Sequence, residues 1–288
     1  MFDKSVVRGR LRFSAAIPYD SRPMKETGGV QFGICTSVEN TERVKRAGFD
    51  YVEEFVQPTL RGDLPDSEWQ GLGRIQSSPL PVIAANSLLP ATMKLTGPDV
   101  HPGRLKEYMS RVIPRAAKVG IKTIVLGSGA ARMVPDGFDR GQARIQLLDF
   151  IRMSCAFAGK HDVLIVAEHL QKGECNIVNS VAEAMTYVKE VNHPNFQCLV
   201  DSFHFWLENE PLDSLRDAMP WIRHVHLADT AGRVPPGESG GHDYRPFFNV
   251  LKQGGYNGPI SMESPAFKDI DGAGPRILGF LKKQWKEA

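Results

Sequence analysis

A chain of 288 residues, 42% of them hydrophobic, can bury one large core or two smaller ones. Its formal net charge of +2 leaves no surplus for tracking nucleic-acid phosphates or a membrane surface, and no apolar run nears the ~20 residues that span a bilayer. Cysteines at 35, 155, 175 and 198 form no CxxC pair, which points to free thiols in a reducing, cytoplasmic compartment.

Residues 1–29 lack the apolar stretch of a secretory signal. They read as an irregular arm, either a tail or a contact with a neighbouring subunit. From Val30 a pattern repeats: a short apolar run, then a helical segment. The runs are VQFGIC (30–35), YVEEFV (51–56), LPVIAA (80–85), KTIVLG (122–127), VLIVAE (163–168), FQCLVD (196–201), IRHVHL (222–227) and PISMES (259–264). Most are near-continuous and rich in β-branched residues, as strands buried on both faces should be.

Helical spacing appears in VENTERVKRAG, which ends at Gly48, and in HPGRLKEYMSRVIPRAAKVG, GQARIQLLDFIRMSCAFAGK and SVAEAMTYVKEV. In the last of these, Ser180 and Glu183 form a capping box. A final helix is expected over about 269–285. The weakest is DSEWQGLGRIQSS, which glycine interrupts. Strands alternating with helices imply parallel pairing through right-handed crossovers. Eight such units over 30–288 predict a single (β/α)₈ TIM barrel. An open doubly wound sheet is disfavoured, because no GxGxxG follows the first strand.

In such a barrel, chemistry sits at the C-terminal ends of the strands. Strand five ends in Glu168, strand six in Asp201, strand seven near His226 and strand eight in Glu263. Any one of these alone reads more readily as a structural group, a solvated rim carboxylate or a histidine bonded to a carbonyl; four in register on adjacent strands suggest a metal site. Three carboxylates and one imidazole suit Mn²⁺, with Mg²⁺ or Co²⁺ as alternatives, better than a closed zinc site. In HVHLADTAGR, His224 shares a face with His226 but sits deeper, where it reads as a support or core group. Asp229 could orient a ligand or hold Arg233. Asn86 lies at the start of a loop and points at the site or caps the barrel; one of Glu53 and Glu54 points inward. LGSGAARM reads as a tight turn in preference to a phosphate cradle. NSLLPATMKL and FHFWLENEP read as apolar loops, serving as lids or as contacts of a homo-oligomer, a dimer or tetramer.

The stretches VAEHLQKGECN, LVDSFHF, HVHLADTAGRVPPG and GGYNGPISMES resemble the xylose-isomerase-like sugar isomerases and epimerases, a group with ketose 3-epimerases and hydroxypyruvate isomerase. The resemblance covers roughly 30–283. It implies a divalent-metal-dependent isomerase or epimerase of a carbohydrate, working by proton abstraction next to a carbonyl through a metal-bound enediolate. It implies Glu168, Asp201, His226 and Glu263 as ligands, with Glu168 and Glu263 also moving the proton. His204, Glu174 and Arg233 match residues that contact substrate. The alternative is a lyase or dehydratase of a keto-sugar, keto-inositol or keto-glycoside, in which β-elimination follows the same abstraction. A repair nuclease like endonuclease IV would need extra histidines from strands two to four, and YVEEFV, VIAANS and IVLGSG hold none.

Overall fold

The computed structural model describes residues 29–265 and 267–288; the expected N-terminal arm lies outside them apart from its last residue. The strands are β1 (Gln31–Cys35), β2 (Tyr51–Phe55), β3 (Val82–Asn86), β4 (Thr123–Leu126), β5 (Leu164–Glu168), β6 (Phe196–Asp201), β7 (Ile222–Leu227) and β8 (Pro259–Met262). All pair in parallel with their sequence neighbours, and β8 returns to β1 to close the barrel. The eight apolar runs therefore form the eight staves of a (β/α)₈ barrel. Between them run α1 (Thr41–Arg46), α2 (Val56–Leu60), α3 (Gly71–Gln76), α4 (Pro102–Val119), α5 (Gly129–Arg132), α6 (Arg140–His161), α7 (Val181–Val191), α8 (Ser202–Leu207), α9 (Leu212–Ala218) and α10 (Arg245–Gln253), and α11 (Gly274–Glu287) closes the chain.

Alternation along each strand divides the side chains between two cores. Outward residues such as Ile124, Ile165, Val200 and Val225 pack under the helices. Inward residues Val125, Val166 and Leu199 make a separate small core within the barrel. Tyr51 also turns inward. A Cβ at Gly33 would meet its ring at 2.3 Å, so glycine at that position makes room for the phenol. The interior is a packed floor on which the polar ends of the strands stand.

The structure corrects several expectations. The final helix starts at Gly274, not near 269, because Pro275 fits only in a first turn. Two crossovers with no anticipated helix carry α9 and α10. The apolar loops are not lids: Leu88, Leu89 and Leu95 are core residues, and Phe205 is buried too. FHFWL forms α8, and Trp206 stacks on His242 at 4.2 Å between ring centres. Of the large hydrophobic side chains exposed among the described residues, Leu207 lies in FHFWLENEP and Ile145 in α6, so most of the apolar side chains of these two segments turn into the core. No helix among the described residues is long and apolar enough to cross a membrane.

Candidate active site

The C-terminal ends of β5 to β8 deliver Glu168, Asp201, His226 and Glu263 to one point. One ligand atom of each lies within 4.8 Å of all the others. Glu168 is the last residue of β5, and its backbone is fixed from below. The buried Arg132 donates to the carbonyls of Leu126 (2.9 Å) and Glu168 (2.7 Å), tying β4 to β5. The GSGAARM segment, expected as a tight turn, instead holds the short helix α5, whose last residue is this structural arginine. Gly127 faces the Glu168 carboxylate, where a Cβ would stand 2.0 Å from Oε2.

Asp201 serves two structures. Its Oδ1 accepts from the Phe203 amide at 2.8 Å and caps α8, while Oδ2 faces the cluster. Glu263 follows β8 directly. Its backbone amide donates to the Leu227 carbonyl at 3.0 Å, and Asn86 Nδ2 donates to its Oε1 at 3.0 Å. Asn86 therefore points at the site.

His226 presents Nδ1 to the cluster, 3.2 Å from Glu168 Oε1 and 3.1 Å from Glu263 Oε2. Its Nε2 lies 3.0 Å from Glu53 Oε1. Of the two β2 glutamates, Glu53 is the inward one; Glu54 turns out to Arg74 and the Val38 amide. His224 lies one layer below the cluster, as its position suggested, with Nε2 2.6 Å from Glu53 Oε2.

Three further residues stand around the cluster. Arg233 Nη2 donates to Asp201 Oδ2 (3.1 Å) and Glu263 Oε2 (2.7 Å), and Nη1 lies 3.7 Å from Glu174 Oε1. Its guanidinium rests on the Phe203 ring, and its φ of 50° is left-handed, a conformation that costs a non-glycine residue roughly 1–2 kcal/mol. Asp229 does not hold Arg233 or face the cluster. It accepts from the amides of Gly237 and Ser239 and from the hydroxyls of Ser239 and Tyr244, gathering the loop after β7. His204 Nδ1 accepts from the Gln171 amide at 3.1 Å, which leaves the proton on Nε2. That N–H is buried, lies 3.6 Å from Asp201 Oδ2 and has no hydrogen-bond partner.

Burial and mutual repulsion set the electrostatics. Burial, reinforced by the charge of Glu263, raises the Glu168 carboxyl. Burial raises Asp201 to about 6 against the pull of Arg233. Burial also opposes ionisation of Glu263, but His226 and Arg233 outweigh it and hold that carboxyl at about 2. Burial disfavours the charged form of His226, yet Glu53 and Glu263 lift it well above the usual histidine range. Burial keeps His204 low, consistent with a neutral ring that donates from Nε2.

A closed parallel barrel with carboxylates and an imidazole clustered at its C-terminal mouth has these groups where barrels of this architecture carry their active sites. The sequence profile of the xylose isomerase-like TIM barrel matches residues 41–284, and the chain belongs to that family. It is 24% identical over 231 residues to D-psicose 3-epimerase from Agrobacterium fabrum, covering 77% of each protein. A ketose 3-epimerase from Arthrobacter globiformis is 29% identical over 122 residues, a match spanning 42% of this chain and 41% of that protein. Among solved structures, D-allulose 3-epimerase from Methylomonas sp. in complex with D-allulose superposes with a TM-score of 0.75 at 22% identity, covering 90% of this chain and 98% of that one. The relatives are sugar epimerases and isomerases.

Proposed function

We propose that this protein is a divalent-metal-dependent epimerase or isomerase of a keto-sugar. The observation that carries the reading is the convergence of Glu168, Asp201, His226 Nδ1 and Glu263 from four consecutive strands within 4.8 Å. The donor set fits a divalent ion: it is oxygen-rich, with one imidazole nitrogen, which suits Mn²⁺, Mg²⁺ or Co²⁺. When bound there, such an ion offsets the repulsion among the carboxylates and polarises the substrate carbonyl.

The remaining work falls to the chain's own groups. One of Glu168 and Glu263 takes the proton from the carbon beside the carbonyl, and the other returns a proton to the opposite face or to the neighbouring carbon. A buried carboxyl with a raised pKa, as at Glu168, is the stronger base of such a pair. The unpartnered Nε2–H of His204 supplies a donor for a substrate oxygen. Arg233, held on Phe203 and flanked by Glu174, is placed to bind another. The test is incubation with Mn²⁺ in D₂O and a panel of ketoses and keto-glycosides. Deuterium should enter one carbon next to the carbonyl, in recovered substrate and in an epimer or isomer. An elimination product would reassign the site to a lyase. Absence of exchange from every substrate by the metal-loaded protein would reject proton abstraction altogether.

A further inference from the structure

Beneath the cluster lies a fully buried carboxylate that the proposed reaction does not consume. Glu53 Oε1 lies 3.0 Å from His226 Nε2, and Glu53 Oε2 lies 2.6 Å from both His224 Nε2 and Ser261 Oγ. An ionised carboxylate only accepts hydrogen bonds. Each imidazole must therefore donate its Nε2–H, and Ser261 must donate its hydroxyl. The Ser261 oxygen is then left to accept from the Tyr51 hydroxyl at 2.8 Å, so the donors run in one direction from the floor to Glu53.

We infer that Glu53 is a positioning residue for His226. With a cation in place it keeps the ring proton on Nε2, so that Nδ1, once its own proton is displaced, presents its lone pair on the side of Glu168, Asp201 and Glu263. His224, Ser261 and Tyr51 in turn fix Glu53. This inference rests on the metal-dependent reading above, because only a bound cation requires that lone pair. The same residues could be read as a second metal site, since Cys35 Sγ lies 4.0 Å from His226 Nε2 and groups with Glu53. The hydrogen bond argues against it: an Nε2 that donates to Glu53 has no lone pair for a metal.

Support of this kind is worth about 10–100-fold in metal affinity. The test measures Mn²⁺ binding to the full chain, by the electron paramagnetic resonance signal of free Mn²⁺, for the parent, Glu53→Gln and Ser261→Ala. An amide oxygen can serve one imidazole but not both, so Glu53→Gln should bind roughly 10–100-fold more weakly. Ser261→Ala leaves the carboxylate and should lose less. Long-range ¹H–¹⁵N spectra of the Mg²⁺-loaded protein should show His226 protonated on Nε2 and bare on Nδ1, with the ¹⁵Nε2 resonance displaced in Glu53→Gln and, by less, in Ser261→Ala; a purely structural role for Glu53 would leave that resonance in place. If Glu53→Gln fails to fold, Ser261→Ala and these spectra decide. Unchanged affinity in Glu53→Gln overturns the inference while leaving the metal site standing; a proton on Nδ1 in the Mg²⁺-loaded parent removes His226 from the ligands and overturns both. A parent that binds no Mn²⁺ overturns the metal reading first, and the inference falls with it.

Discussion

Asp201 is the residue where fold and chemistry meet most closely, since one carboxylate oxygen caps α8 and the other faces the cluster. The two roles can be separated. Asp201→Asn keeps an oxygen for the cap and removes the charge, so Mn²⁺ affinity should collapse with little loss of stability. Asp201→Ala should lose the metal and also about 0.5–2 kcal/mol for the cap. Parent-like Mn²⁺ binding in both variants would show that the site is wrongly assigned. Glu174 tests the outer ring of the pocket. Its side chain is 38% exposed and its nearest charged partner is Arg233 at 3.7 Å. Glu174→Ala should therefore change stability by less than about 1 kcal/mol while lowering turnover about tenfold; unchanged kinetics on an established substrate would remove it from the site. At this scale the sequence was informative where position alone decides. Glu168 and Asp201 end their strands, His226 is the second-to-last residue of β7 and Glu263 directly follows β8, and the C-terminal end of a barrel strand has one destination. The partnership of Glu53 with His224 was not legible, because 171 residues separate them and only barrel closure brings them together. Arg132 escaped notice for a similar reason: its acceptors are backbone carbonyls, which carry no mark in a sequence.

At the level of elements, the junction after β4 closely constrains the Glu168 carboxylate. Gly127 lies so close to Glu168 that any side chain must push the carboxylate aside. Because the displaced atom is the free end of a side chain, Gly127→Ala should cost little stability. It should still cut turnover about 100-fold, the scale of loss that a misplacement of about 1 Å produces. Thermal melting and steady-state rates measured on the same sample would check this, and a fully active Gly127→Ala would mean that Glu168 tolerates the shift. The strands could be read from sequence because a buried parallel strand is a short, largely apolar run, and most of the eight runs are near-continuous. The helices were harder. In α10 the buried residues Phe247, Phe248, Val250 and Leu251 follow a glycine- and proline-rich loop, which hides a nine-residue helix. The apolar loop after β3 was misread because a leucine pattern does not reveal which way it faces. Leu88, Leu89 and Leu95 turn inward, where each contributes roughly 1.5–3 kcal/mol of burial.

For the molecule as a whole, the balance of charge at the mouth couples stability to pH and to metal. Asp201 is raised from 3.8 to about 6, so the folded protein without metal keeps a proton that the unfolded chain has already released. Its contribution to stability is lost as pH rises from about 4 through about 6. Glu263, lowered from 4.5 to about 2, acts in the opposite sense and contributes fully above about 4.5. A cation displaces the Asp201 proton and offsets only the first of these effects. The difference in melting temperature between saturating Mn²⁺ and chelator should therefore widen as pH rises from 5 to 7. At a hundredfold excess over Kd it should reach roughly 5–10 °C near neutrality. A gap of the same size at every pH would show that no ligand titrates in this window.

The packed floor described above also governs traffic. Tyr51, Val125, Val166 and Leu199 fill the barrel below the carboxylates, so among the described residues the floor side of the site is closed. In the proposed reaction, substrate and product must then pass through the mouth above the carboxylates in turn. Incoming substrate cannot enter while product occupies the passage, and inhibition by product should be purely competitive. A noncompetitive pattern in initial-rate data would reveal a second way out that this architecture does not provide.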